Sequence, residues 1–376
     1  MLVAMSLRAR VEGWGRRVVQ RAVHGPWSVE PRLSRYEPAS TLELPAHHRP
    51  VARFRAIDIH NHLGRWLSGD GSWAAPDVDG VLRAMDRCNL GAIVNLDGRW
   101  GTELEDNLDR YDRAHPGRFA TFCHVDWSAC GRDDFDDLPR QLAESVERGA
   151  RGLKVWKDLG RSVRDAAGRL LLPDDPRLAG LWRAAADAGI PVIVHTADPV
   201  AHFRPVDRRN ERLEELRRSP GASWARPGLP THGALMESFE ALVRANPDTT
   251  FIGAHLAGWS ENLAKVGAML ADCPNLLVDL SARVGDLGRQ PRAARRLITA
   301  HPDRVLFGSD VYPLRPDELA IYFRCLETDD ECFAYSVEQP PPRGRWEISG
   351  LALDDATLRK VYASNAQRLL PGLGDG

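Results

Sequence analysis

A chain of 376 residues with 43% hydrophobic and 27% charged content has material for one large core and an ordinary globular composition. Its formal net charge of -2 argues against the broad basic field that general nucleic-acid or anionic-membrane binding needs. The six cysteines form no Cys-x-x-Cys pair and no regular framework, which fits a reducing, cytoplasmic setting better than a disulfide scaffold.

The N-terminal apolar run is broken by Arg8 and Arg10, so it does not read as a secretory signal. No stretch approaches the ~20 apolar residues of a membrane helix. Over residues 6–23, Leu7, Val11, Trp14, Val18 and Val19 alternate with Arg8, Arg10, Arg16, Arg17 and Arg21. This predicts a basic amphipathic helix packed on the body of the protein, with a membrane-surface anchor or partner-binding arm as the alternative. Pro26, Pro31, Pro38, Pro45 and Pro50 then mark an extended linker. Residues 1–50 thus form an N-terminal extension, and 51–376 the main domain.

Short apolar runs follow at Ala56–His62, Ala92–Leu96, Phe119–Trp127, Gly152–Trp156, Pro191–Thr196, Thr250–Ala257, Leu276–Ser281 and Val305–Asp310. Between them apolar residues recur at helical spacing, as in Leu138/Leu142/Val146 and Leu235/Phe239/Leu242. Eight alternating strand–helix units predict an α/β fold of the (β/α)8 TIM-barrel type, with a doubly wound sheet as the competing architecture. Residues 315–350 read as an irregular excursion that could serve as a lid. Asp354 caps a final helix expected to close against the barrel exterior.

In such a barrel the C-terminal strand ends meet at one mouth. Asp58, His60 and His62 alternate by two on strand one, which puts all three on the interior face. Lys154 ends strand four, His195 strand five, His255 strand six and Asp310 strand eight. Each has an ordinary structural reading when taken alone, such as a satisfied core histidine or a turn-capping aspartate. The ordered set is far harder to obtain by accident, and it points to a metal site, since imidazoles two residues apart on a strand can hold one ion.

The Asp-x-His-x-His opening, His195, His255 and the Gly-Ser-Asp at 308–310 resemble the amidohydrolase superfamily, specifically its amidohydrolase-2 type, over roughly residues 56–370. That resemblance implies a metal-dependent enzyme, and its members include both hydrolases and decarboxylases. In the mononuclear pattern it implies, His60, His62, His195 and Asp310 hold one ion and His255 is free as an acid or base. In the binuclear pattern, CO2 carboxylates Lys154, which bridges two ions. His60, His62 and Asp310 then hold the first, and His195 and His255 the second. Two ions, Zn or alternatively Fe or Mn, are the favoured expectation.

The expected reaction is hydrolysis of a small carboxylic-acid derivative, whether ester, lactone, amide or a thioester such as an acyl-CoA. Water acidified by the metal attacks the carbonyl, and Asp310 moves the proton to the leaving group. Asp58 is a candidate to orient a ligating histidine. Trp66, Trp127 and Trp156 are candidates to line the mouth. The loop carrying Asp198, His202, Arg204, Asp207, Arg208 and Arg209 is a candidate cover, and Arg283 a candidate partner for a carboxylate or phosphate. The alternatives are a one-metal decarboxylase of a small unsaturated or aromatic acid, and a non-catalytic binding protein. A small molecule is the expected partner, and a homodimer one option for assembly.

Overall fold

The computed structural model describes residues 40–375, so the expected N-terminal helix and most of the proline-rich linker lie outside the described residues. Pro45–Gly376 is one compact unit, and it holds every strand and helix of the described residues. Its first residues are tied down by hydrogen bonds from the His47 amide to Asp330 (2.7 Å) and from the Arg53 amide to Glu327 (2.8 Å).

Eight parallel strands pair in chain order: β1 (Ala56–Asn61), β2 (Leu90–Asn95), β3 (Phe119–Cys123), β4 (Gly152–Val155), β5 (Val192–Val194), β6 (Phe251–Gly253), β7 (Leu276–Asp279) and β8 (Val305–Leu306). With helices between them they make the expected (β/α)8 TIM barrel. The strands are apolar on both faces because both faces are covered. Ile57, Val94, Phe122, Ile193, Ile252 and Leu306 meet in one cluster, which strands this far apart in sequence can form only inside a barrel. Val192, Val194, Phe251, Val278 and Val305 belong to the outer cluster under the helices. In β5 the switch from Val192 to Ile193 to Val194 follows the period of two.

The ring closes between β1 and β8. The Ile59 amide donates to the Phe307 carbonyl (3.0 Å) and the Asp310 amide to the His60 carbonyl (2.8 Å). Asp58 completes the seam. Fully buried, its carboxylate accepts from the amides of Ser309 (2.8 Å) and His60 (3.1 Å), from the Asn61 side chain (2.9 Å) and from the Ser309 hydroxyl. Among the described residues it accepts no hydrogen bond from an imidazole, so the ring-orienting role expected for it is corrected: Asp58 holds the backbone and side chains of the seam. The face expected for it is corrected too. Its neighbours Ile57 and Ile59 join the inner cluster, which by the period of two turns Asp58 to the other face, and the register breaks between Asp58 and Asn61.

Two further expectations change at the C-terminal end. The segment after β8 is not wholly irregular. Pro316–Glu327 is a helix with Pro316 in its first turn and Leu319, Phe323 and Leu326 buried, followed by an antiparallel pair, Phe333–Ala334 with Glu347–Ile348. The closing helical segment does begin at Asp354, whose side chain accepts from the Thr357 amide (2.9 Å). Leu358, Val361 and Tyr362 pack on the exterior, but Ala366, Leu370 and Leu373 join the inner cluster. The Gly374 amide reaches the Gly117 carbonyl just ahead of β3 (2.8 Å). The chain end therefore plugs the N-terminal mouth, where the barrel interior would otherwise meet water.

Asp58→Ala would leave buried amides of the β1/β8 seam without an acceptor. A loss of about 1–3 kcal/mol per stranded donor is expected in urea-induced unfolding, while Asp58→Asn keeps part of it.

Candidate metal centre

At the opposite mouth, His60, His62, Lys154, His195, His255 and Asp310 all line one cavity of about 210 Å³. The six residues singled out on five strands are brought together. His60 is 1% exposed, His255 2% and Lys154 2%, so these polar groups are well shielded from bulk water.

Each of three imidazoles is locked through its Nδ1. His62 Nδ1 donates to Asp97 (2.7 Å), His60 Nδ1 to Asp279 (2.8 Å) and His255 Nδ1 to the Ser281 carbonyl (2.9 Å). A carbonyl or carboxylate partner puts the proton on Nδ1 and leaves the Nε2 lone pair as the ligating atom. The remaining oxygen of Asp279 takes the His255 amide (2.7 Å) and the Ser281 hydroxyl (2.6 Å), so one buried carboxylate positions two histidines.

His255 sits on a strained backbone. His255, Leu256 and Ala257 have φ of 56°, 59° and 50°, and Gly258 continues at 74°. A left-handed turn costs roughly 1–2 kcal/mol for each non-glycine residue. Gly253 permits it: a Cβ there would lie 2.5 Å from that of Ala257. The strand-like run expected to Ala257 thus ends at Gly253, and the turn swings His255 to ring-centroid distances of 4.7 Å from His60 and 4.3 Å from His195.

The donor set fits a divalent cation. The ligand atoms of His60, His62 and Asp310 lie within 4.8 Å of one another. Among the described residues, His195 Nε2 and Asp310 Oδ1 are buried with no hydrogen-bond partner, only the longer contacts to Asp198 (3.5 Å) and His62 (3.4 Å). An unsatisfied imidazole nitrogen and carboxylate oxygen in one cavity are what a cation would satisfy. Burial holds the His195 pKa down to about 3, keeping the ring neutral and able to ligate. His62, although burial works against its charge, is raised to about 9 by Asp97 and Asp310. Its Nε2 stands 3.4 Å from Asp310 Oδ1, a slot that favours positive charge.

Around this centre Trp156 stacks on His195 with rings 6.1 Å apart, and Trp66 meets Trp156 edge-on at 4.3 Å but borders a neighbouring groove beside Arg65 and Arg99. His202 and Arg283 line the cavity. Trp127 does not, lying half-buried in a short helical turn, Trp127–Arg132. Of the loop after β5, Asp198 and His202 reach the cavity, while Arg204, Asp207, Arg208 and Arg209 are exposed. Asp97 and Asp279 were missed, although the strand-end rule that found Asp310 applies to both. Arg212, Glu215 and Arg343 were missed because they come from excursions with no strand register.

A parallel barrel with this ligand set at its C-terminal mouth defines a metal-binding TIM-barrel enzyme. Residues 99–372 match the Amidohydrolase family profile of the amidohydrolase-2 type, a span that includes Lys154, His195, His255 and Asp310. The chain belongs to that family. No curated relative matches significantly. Among solved structures, a TIM-barrel protein from Bordetella bronchiseptica is similar at 17% identity and TM-score 0.53, over 85% of this chain and 99% of that one. A putative amidohydrolase from Staphylococcus aureus is similar at 14% identity and TM-score 0.53 over 84% and 99%. A 2,6-dihydroxybenzoate decarboxylase from Rhizobium is similar at 15% identity and TM-score 0.53 over 84% and 98%. These likenesses concern the fold. Among the described residues no helix is long and apolar enough to cross a membrane.

Replacing Asp97 by Asn should free the His62 ring and weaken metal affinity about 10–100-fold with the fold retained. Elemental analysis after dialysis against a graded chelator measures this. His60→Ala and His62→Ala should lose metal outright, and full occupancy in both would remove them from the site.

Proposed function

We propose that this chain is a metal-dependent hydrolase of a small carboxylic-acid derivative, with Lys154 carboxylated and bridging two ions. The observation that carries this reading is the setting of Lys154. Its Nζ is buried, lies 3.4 Å from His60 Nε2 and makes no ion pair with a carboxylate among the described residues. Burial lowers its pKa to about 8, an effect that Asp279, Asp310 and Asp97 offset only in part. A substantial neutral fraction results near pH 7–8. The neutral amine is the form that adds CO2, and loss of one proton from nitrogen gives the carbamate. That change turns a cation disfavoured beside divalent ions into an anionic oxygen donor.

His60, His62 and Asp310 would hold one ion, and His195 and His255 the other. A divalent ion supplies a Lewis acid and lowers the pKa of water towards about 7. Asp310, kept ionised by the His62 contact and by nearby cations against the opposing effect of burial, can accept the water proton and return it to the leaving atom. Trp156 and Tyr312 wall the cavity and shield it. An ester, lactone, amide or thioester fits this chemistry.

A second reading, a decarboxylase using one ion, draws on the barrel's likeness to the 2,6-dihydroxybenzoate decarboxylase. There His60, His62, His195 and Asp310 would bind the ion, and His255, held neutral by burial and by neighbouring positive charge, would handle the proton.

Lys154→Ala should reduce metal from about two ions per chain to about one, with partial recovery on adding a short carboxylate. An unchanged count overturns the bridging role. Asp310→Asn should leave circular dichroism unaltered and lower kcat by about 10²–10⁴-fold. Near-native turnover in that variant overturns its role in proton transfer.

A further inference from the structure

Beyond the metal centre, the cavity carries more positive charge than its own carboxylates neutralise. Lys157 is spent on Asp198, with both oxygens 2.8 Å from Nζ. Arg212 is spent on Asp286 (2.9 and 3.1 Å) and Glu215 (3.0 Å). Arg283 and Arg343 are left over. Arg283 is 5% exposed, and its nearest carboxylate, 3.9 Å from Nε, is the Asp286 already held by Arg212. Arg343 makes no ion pair among the described residues. Both guanidiniums donate to a single acceptor, the Ala282 carbonyl, at 3.0 and 2.6 Å. Arg343 thus has no carboxylate among the described residues and Arg283 only a distant share of one that Arg212 holds more closely, so two shielded guanidiniums meeting on one neutral oxygen form a site built for an anion.

The two come from different parts of the chain. Arg283 follows β7, and Ala282 before it has a φ of 53°. Arg343 is carried by the loop between the two short antiparallel strands. The hydroxyl of Tyr335 accepts from the amides of Arg343 (2.9 Å) and Gly344 (3.0 Å), and Arg345 is joined to Glu214 (2.8 Å). Arg218 adds a hydrogen bond to the Pro342 carbonyl. This strap holds Arg343 at the cavity wall beside Asp310 and Tyr312.

We infer that Arg283 and Arg343 bind a free carboxylate of the substrate, one that is not the group being cleaved. The substrate is then a carboxylic-acid derivative with a second, permanently anionic carboxylate. Planar guanidiniums match that group by paired, charge-assisted hydrogen bonds. This deepens the hydrolase reading and rests on it for the reacting end only.

Calorimetric titration of the full-length, metal-loaded chain with linear dicarboxylates from malonate to adipate, each against the monocarboxylate of equal carbon number, tests the subsite. At least one dicarboxylate should bind about tenfold or more tightly than its monocarboxylate counterpart. Arg343→Gln and Arg283→Gln should each bring that ratio towards one by weakening the dicarboxylate about tenfold or more, since only a dicarboxylate engages the metal centre and the arginines together. Arg343 is half-buried on a loop, so its variant tests the assignment even if the buried Arg283→Gln misfolds. A ratio near one in the native protein overturns the subsite, as does an unchanged ratio in Arg343→Gln. Inorganic phosphate binding more tightly than every dicarboxylate, and lost in the same variants, overturns the carboxylate assignment. Binding is read without turnover. A ratio that disappears as expected in a protein that hydrolyses nothing leaves the subsite standing and removes the hydrolase reading instead.

Discussion

The structure depends on how its first and last strands are joined. Asp58 and Ser309 are 251 residues apart, and a buried carboxylate holds them together through a backbone amide and a hydroxyl. Burial alone would make such a carboxylate hard to ionise, and it does raise the Asp58 pKa to about 6, with the donors from Ser309 and Asn61 opposing the rise. The seam fixes more than the barrel's closure. The Asp310 amide donates to the His60 carbonyl, so the same few hydrogen bonds that close the ring set Asp310 against His62. Fold and metal centre share one piece of backbone.

From that seam outward the site is ordered by carboxylates that are not themselves open to the cavity. Asp97 and Asp279 are both fully buried, and each fixes an imidazole by its Nδ1. They lower the rotational freedom of the two imidazoles and leave their Nε2 atoms free for another partner. The left-handed turn at His255, Leu256 and Ala257 is the corresponding expense in backbone energy. It is held by the His255 amide bond to Asp279, which makes β7 the support for the ligand that follows β6.

Farther from the strand ends the logic changes from ligation to charge balance. Lys157 and Arg212 have their carboxylates, Lys154 makes its hydrogen bond to an imidazole and no ion pair among the described residues, and Arg283 and Arg343 share a carbonyl. Cations short of close counter-ions in a shielded cavity are what the two proposals rest on, a CO2 adduct at the lysine and an anion at the arginines.

Alternating apolar runs and helical spacings were enough to reveal the barrel, because burial of both sheet faces and one helix face leaves a periodic trace in the chain. The same register put His60, His62, Lys154, His195, His255 and Asp310 at the mouth, since a strand's end is a local property. What the sequence could not disclose depends on which distant residues become neighbours. Asp58 looks like a partner for the histidines it alternates with, yet the register break in β1 turns it to the β8 backbone. Leu370 and Leu373 look like an exterior helix face, yet the open end of the barrel draws them inside. Arg343 has no period or motif at all, and reaches the cavity only because Tyr335, Glu214 and Arg218 hold its loop there. Which residues gather at the mouth was written in short-range pattern. Orientation, closure and charge balance were decided by contacts across hundreds of residues, which no local pattern encodes.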